Sequence, residues 1–278
     1  MSFYARCLLF TPGDHSERFS KAETLGADGI IIDLEDAIAE AGKDTARNIV
    51  IEYLQKTARK PSFIVGLRIN SLRTPAGLRD ILALIESNVY PDILMLPKTE
   101  SSEEVEILNE LLSAHQTPLI PLIETAKGLY QAKAIAESKN VVALLFGGAD
   151  FSADLGAELK WDAMQSYRAE ISKAAAAAGI TAIDVPYLNL KDPDDNKLIE
   201  ETRRVKELGF TCKACIHPKH IAGILKVFNP TDKEIERART IVNAFLEAKG
   251  NACEVNGKMI DIPVVRSAKR ILNLAERK

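Results

Sequence analysis

The chain has 278 residues, 46% of them apolar and 27% charged, enough nonpolar material to bury one large core. Its 36 basic and 39 acidic side chains leave a formal charge of -3, which argues against a nucleic-acid-binding face or a polybasic membrane patch. No apolar run approaches the roughly 18 residues of a membrane span, and the short stretch after Arg6 falls short of a signal-peptide core, so a cytoplasmic protein with reduced thiols is expected.

Short apolar runs recur along the chain. Strands are predicted at Ala5–Phe10, Gly29–Asp33, Phe63–Ile69, Asp92–Leu96, Leu119–Ile123, Val142–Phe146, Ala182–Val185 and Thr211–Ile216. Most are nearly continuous in Val, Ile and Leu, as suits strands buried on both faces. Helices are predicted between them at Ser16–Leu25 (with Asp14 as N-cap), Asp44–Gln55, Leu78–Glu86, Glu103–Ala114, Gly128–Glu137, Asp162–Ala178 and Asp194–Leu208. Alternation of eight strands with helices points to an α/β fold, a (β/α)8 TIM barrel over residues 1–228. A doubly wound open sheet is the alternative. Beyond the barrel, Thr231-Asp232-Lys233-Glu234 has the pattern of a capping box opening a helix to about Lys249. Gly250 to Asp261 reads as irregular, and a last helix starts near Pro263. Residues 229–278 thus form a C-terminal helical extension, either a lid or arm onto a neighbouring subunit or a helix packed on the barrel base.

Barrel active sites sit at the C-terminal ends of the strands. Strand two ends Asp33-Leu34-Glu35-Asp36, three carboxylates that repel one another unless a cation is near. They form either a solvated turn or a support that orients basic side chains and metal-bound water. Strand three ends Arg68-Ile69-Asn70. Arg68 lies in an apolar run and needs a partner, either a substrate carboxylate held bidentately or Glu35 or Asp36. Lys98, after strand four, suits a hydrogen bond to the acidic cluster better than a Schiff base. Glu124 and Asp150 end adjacent strands, and two carboxylates plus waters suit magnesium. Gly147 and Gly148 permit close backbone approach, and the N–H groups opening the next helix favour an anion. Asp150 as a mere helix cap is the alternative. Cys212 and Cys215 have metal-site spacing but no second pair, so Cys7, Cys212, Cys215 and Cys253 read as structural. His217 and His220 lack an obvious third ligand for zinc. Arg18, Lys21 and Arg47, near early helix openings, are expected to be solvated rather than bound to phosphates.

In this order, these motifs resemble the citrate lyase beta-subunit-like family of acyl-CoA lyases, within the HpcH/HpaI aldolase superfamily. The resemblance covers nearly the whole chain. It runs from Leu9-Phe10-Thr11-Pro12-Gly13-Asp14 through Asp33-Leu34-Glu35-Asp36-Ala37 and Lys43-Asp44-Thr45-Ala46-Arg47. It continues with Arg68-Ile69-Asn70, Leu96-Pro97-Lys98, Ile123-Glu124-Thr125, Phe146-Gly147-Gly148-Ala149-Asp150 and Ile216-His217-Pro218, and ends at Asn256-Gly257-Lys258-Met259-Ile260-Asp261-Ile262-Pro263. It implies a magnesium-dependent lyase, with manganese able to substitute, acting on a carboxylated 3-hydroxyacyl-CoA to give a 2-oxo acid and an acyl-CoA. Citramalyl-, malyl- and citryl-CoA are the candidate substrates. Glu124 and Asp150 match the metal ligands and Arg68 the substrate-carboxylate arginine, with Gly148, Ala149 and Asp150 also binding substrate. Asp261 matches a catalytic aspartate delivered into a neighbouring subunit's site, with Glu35 and Asp36 supporting, in a homotrimer or dimer of trimers. Three alternatives stay open: the beta subunit of a citrate lyase complex using a carrier-protein thioester, a malyl-CoA-type thioesterase, and a CoA-independent 2-oxo-acid aldolase.

Overall fold

The eight apolar runs become eight parallel strands, β1 (Cys7–Pro12), β2 (Gly29–Asp33), β3 (Ile64–Arg68), β4 (Ile93–Leu96), β5 (Leu119–Ile123), β6 (Ala143–Phe146), β7 (Thr181–Asp184) and β8 (Cys212–Cys215). In the computed structural model, which describes residues 3–58, 60–192 and 195–276, each strand pairs with the next and β8 pairs with β1, so the sheet closes into a barrel. Closure excludes the open-sheet alternative. Alternating side chains, among them Leu8, Ile31, Met95, Ile120, Leu122, Leu145, Ile183 and Ala214, fill the interior, making the barrel a packed core rather than a pore.

The helices around it are α1 (Lys21–Thr24), α2 (Lys43–Lys56), α3 (Pro75–Ser87), α4 (Ser102–Leu111), α5 (Ala126–Glu137), α6 (Gly148–Asp154), α7 (Trp161–Ala178), α8 (Asn196–Glu207) and α9 (His220–Phe228). Thr74 caps α3 by accepting from the Gly77 N–H, with Pro75 at the first helical position, and Thr125 caps α5 by accepting from the Gly128 N–H. The predicted helix Ser16–Leu25 is instead a 3-10 turn at Ser16–Arg18 followed by the single-turn α1, and His15 rather than Asp14 holds the N-cap position. Neither α6 nor α9 was predicted. Asp194, where a helix was expected to begin, lies outside the described residues.

The chain divides into two compact units between Leu225 and Lys226. The second contains α10 (Asp232–Glu247), the antiparallel strands β9 (Cys253–Val255) and β10 (Lys258–Ile260), and α11 (Ile262–Ala275). Its capping box is complete: Thr231 Oγ1 accepts from the Glu234 N–H and the Glu234 carboxylate accepts from the Thr231 N–H. Ala238, Ile241, Ile260, Val265 and Ala268 form its own apolar core. The stretch read as irregular is therefore a hairpin. Asn256 and Gly257 at its turn have φ of 50° and 74°, the positive pair that a two-residue primed turn requires and that Asn-Gly supplies. Among the described residues no helix is long and apolar enough to cross a membrane.

Arg47 corrects another expectation. It is buried, and its Nε donates to Asp80 Oδ1 at 2.7 Å, joining α2 to α3. Asp80 Oδ2 accepts from both the backbone N–H and the Nδ2 of Asn70, each at 2.8 Å. Removing one partner of a buried pair strands the other charge. Asp80→Ala should lower stability by about 3–5 kcal/mol, seen as an earlier midpoint in urea denaturation. A loss under about 1 kcal/mol, the range of exposed pairs, would contradict this reading.

Candidate active site

At the C-terminal end of the barrel lies a cavity of about 300 Å³, lined by Phe10, Asp33, Asp36, Arg68, Glu124, Gly147, Ala149 and Asp150, with Leu122, Leu145, Val185, Pro186, Leu188 and Ile216 supplying apolar walls. The strand-end carboxylates therefore converge.

Asp33 and Arg68 are register partners on β2 and β3. Asp33 Oδ1 accepts from Arg68 Nε at 2.7 Å and Oδ2 from Nη2 at 2.6 Å, a bidentate fork. The same carboxylate accepts from the N–H groups of Glu35 (2.9 Å) and Ala37 (3.2 Å), fixing the turn after β2. Arg68 Nη1 lies 2.9 Å from Glu35 Oε2 and 3.4 Å from Asp36 Oδ2. The contact with Glu35 Oε2 is close enough for an ion pair but off the hydrogen-bonding direction. Arg68 thus has a structural partner, Asp33, that sequence reasoning did not weigh for it. One fork is taken by Asp33, and Nη1, beside Glu35, donates to Asp36 Oδ2. Burial works against the Arg68 charge, but Asp33 and Glu35 hold the guanidinium well above its ordinary value.

Lys98 Nζ donates to Glu35 Oε1 at 2.5 Å and lies 3.6 Å from Asp36. Burial alone would lower its pKa, but the bond to Glu35 and the attraction of Asp36 raise it. A Schiff-base lysine needs a neutral amine, so Lys98 acts as a charge partner to the acidic cluster. Glu35, buried, is itself shifted above the usual carboxylate range, with Arg68 and Lys98 opposing.

Glu124 carries the largest imbalance. It is 3% exposed, and its pKa is pushed up to about 8, first by burial, then by the charge of Glu35, with Asp150 adding repulsion against Arg68. Its Oε2 accepts from the Lys98 backbone N–H at 2.7 Å, a bond made while Lys98 holds φ at 52°, unusual for a non-glycine. Gly147 gives the carboxylate room: a Cβ there would sit 2.1 Å from Glu124 Cγ and 2.7 Å from Oε1. Asp150 lies in the first turn of α6 but does not cap it, because the N-cap is Gly147 without a side-chain bond. A Cβ on Gly148 would meet Phe146, Leu159 and Val185, and Gly147 and Ala149 line the cavity.

Two carboxylates, one of them buried and repelled by its neighbours, are the donor set that a hard divalent cation with retained waters would relieve. Groups of three or more His, Cys, Asp or Glu with metal-holding geometry are absent among the described residues. His217 and His220 have ring centroids 6.2 Å apart, and His220 is buried against Tyr187 and Asp195. Asp261 lies in the second unit, where its Oδ1 accepts from the Val264 N–H at 3.3 Å and caps α11. Lys43 was given no role from sequence. Its Nζ donates to the Leu34 and Glu35 carbonyls, each at 3.1 Å, and to Asn70 Oδ1 at 2.5 Å, bracing the acidic turn. A lysine opening a helix, where cations are disfavoured by the dipole, was the available signal.

A parallel β/α barrel with carboxylates and an arginine gathered in its mouth defines a barrel enzyme. The model of the HpcH/HpaI aldolase/citrate lyase family matches residues 6–218, and the chain belongs to that family. It is 34% identical to the citrate lyase subunit beta of Leuconostoc mesenteroides subsp. cremoris, covering 97% of this chain and 93% of that protein. It is 33% identical to the mitochondrial citramalyl-CoA lyase of Rattus norvegicus, covering 97% and 86%. Among solved structures, CitE from Mycobacterium tuberculosis, in complex with magnesium, acetoacetate and coenzyme A, superposes with a TM-score of 0.82 at 32% identity, covering 97% of each chain.

The Glu124 shift has a consequence for stability. Its folded-state pKa is raised above the unfolded value, so its contribution is full below the usual carboxylate range and is lost as pH rises to about 8. The melting temperature of metal-free protein should fall across that window, and Glu124→Gln should reduce the fall. Equal slopes for wild type and variant would show that Glu124 is not the titrating group.

Proposed function

We propose that the chain is a magnesium-dependent lyase that reversibly cleaves a carboxylated 3-hydroxyacyl-CoA into a 2-oxo acid and an acyl-CoA. The observation that carries this is the buried Glu124, its carboxyl raised by burial and by Glu35 despite Arg68, lining one cavity with Asp150 and Arg68. Similarity to a citramalyl-CoA lyase and to citrate lyase beta subunits supports the reaction class.

Glu124 and Asp150 would hold the magnesium ion, which supplies Lewis acidity and a template for the substrate's carboxylate and hydroxyl oxygens. Arg68, which lines the cavity, would attract the substrate carboxylate. The first N–H groups of α6, at Gly148 to Asp150, have no acceptor within their own helix and would favour the same charge. Glu35 and Asp36 keep Arg68 and Lys98 in place. Cleavage of the carbon–carbon bond turns the hydroxyl carbon into the carbonyl of the 2-oxo acid, its hydroxyl proton passing to solvent water, and leaves a thioester enolate. Asp261, brought by residues 229–278 of a neighbouring subunit in a homotrimer or dimer of trimers, protonates the enolate carbon, and abstracts that proton in the condensation direction. Four cysteines without disulfides support a reducing, cytoplasmic setting. A second reading, action on a carrier-protein thioester, is favoured by the likeness to citrate lyase beta subunits.

The test is a panel of citramalyl-, malyl- and citryl-CoA, together with free 2-oxo-4-hydroxy acids, assayed with and without magnesium. Magnesium-dependent release of acyl-CoA and 2-oxo acid is expected, abolished by chelation. Turnover of free acids alone would contradict the proposal, and activity only on a carrier-protein thioester would favour the second reading. Asp261→Asn should lower kcat by about 10²–10⁴-fold, the range of general acid–base catalysis. Full turnover in that variant would remove Asp261 from the mechanism.

A further inference from the structure

One wall of the cavity is not a strand. After β7 the chain runs through residues 185–192, and Val185, Pro186 and Leu188 from this stretch face the cavity. Leu188 and Leu190 are about half exposed, at 49% and 45%. A loop carrying exposed leucines gains little by holding one shape on its own account, so its position needs an external cause. Two lysines supply one.

Lys213, on β8, is fully buried. Its ammonium has three protons to donate, and all three have acceptors: the Asp184 carboxylate, the Val185 carbonyl at 2.8 Å, and Glu201 Oε1 on α8 at 2.9 Å. Asp184 is held in turn by Arg168 Nε from α7 at 2.8 Å. A buried ammonium is costly unless fully paired, and an apolar side chain of similar volume often serves stability as well. Packing alone therefore does not account for a charge at this position, whereas a three-way tether at the root of the cavity wall does. Lys219 grips the far part of the same stretch, its Nζ donating to the Leu190 carbonyl at 2.5 Å and the Asp192 carbonyl at 3.2 Å.

We propose that Lys213 and Lys219 are positioning residues that hold residues 185–192 as a rigid wall of the cavity and thereby set which acyl substituent the site accepts. Neither touches substrate. They act through the backbone carbonyls that place Val185 and Leu188. The selectivity part rests on the lyase reading above; the tether itself does not.

Trp161, the only tryptophan in the chain, shares a groove with Val185, Pro186, Tyr187 and Leu188, so its fluorescence reports on the wall without any substrate. Lys219→Met, chosen because Lys219 is partly exposed, should raise acrylamide quenching of Trp161 about twofold as the loop loosens. It should also shrink the preference between citramalyl-CoA and malyl-CoA, which differ by one methyl, by about tenfold in kcat/KM, chiefly through KM. Lys219→Arg, whose guanidinium can still donate to both carbonyls, should restore both. Glu201→Leu removes the acceptor for Lys213 while leaving the lysine in place and should move both readouts the same way. Unchanged quenching in folded Lys219→Met and Glu201→Leu would overturn the tether. Changed quenching with an unchanged substrate ratio would overturn the selectivity role. If the wild-type enzyme cleaves no thioester, the lyase reading fails and the quenching comparison alone decides the tether.

Discussion

The Asp33–Arg68 fork joins β2 to β3 at the level where the barrel opens. An arginine in an apolar strand must be paired, and here the partner is its direct neighbour in register. The remaining acceptor capacity of Asp33 fixes the Glu35 and Ala37 amides, so the pair that satisfies a strand arginine also shapes the turn carrying Glu35 and Asp36. Glu35 in turn engages Lys98, whose backbone N–H holds Glu124. Asp33, Arg68, Glu35, Lys98 and Glu124 are thus one connected network, and within it burial and the charge of Glu35 raise the Glu124 carboxyl most.

Outside the barrel wall the same logic recurs. Asp80, with Arg47, Asn70 and Lys43, braces the turn after β2 from one side. Asp184, with Lys213 and Arg168, anchors the start of the opposite wall. Each cluster buries charge, and in each the charges reach backbone next to the cavity rather than the cavity itself. Buried ion pairs contribute little net stability compared with apolar packing. Their placement is better explained by geometry, since a metal or carboxylate site tolerates only small displacement of its donors.

Much of the barrel was legible because continuous Val, Ile and Leu runs mark strands buried on both faces. Their boundaries moved by a residue or two, as with β1, which extends to Pro12 where it pairs with Asp33. The convergence of Glu35, Asp36, Arg68, Glu124 and Asp150 was also legible, since strand ends of a barrel share one mouth. Three things were not. The fork between Asp33 and Arg68 depends on strand register, which composition does not reveal. Arg47 looked like a surface residue because helical spacing alone cannot show that Asp80 on the next helix waits for it. The hairpin at Cys253–Val255 and Lys258–Ile260 was hidden by short, half-exposed strands, although Asn256-Gly257 was a usable turn signal.

The central claim is that the site is built around a negative charge that a divalent cation completes. Calorimetric titration of magnesium into the purified protein, in two buffers of different ionisation enthalpy near neutral pH, tests it directly. With the Glu124 carboxyl raised to about 8 in the metal-free protein, cation binding must displace its proton. The account predicts one saturable site per chain with proton release that disappears in Glu124→Gln. Saturable binding without proton release, or binding and release unchanged in that variant, would contradict it.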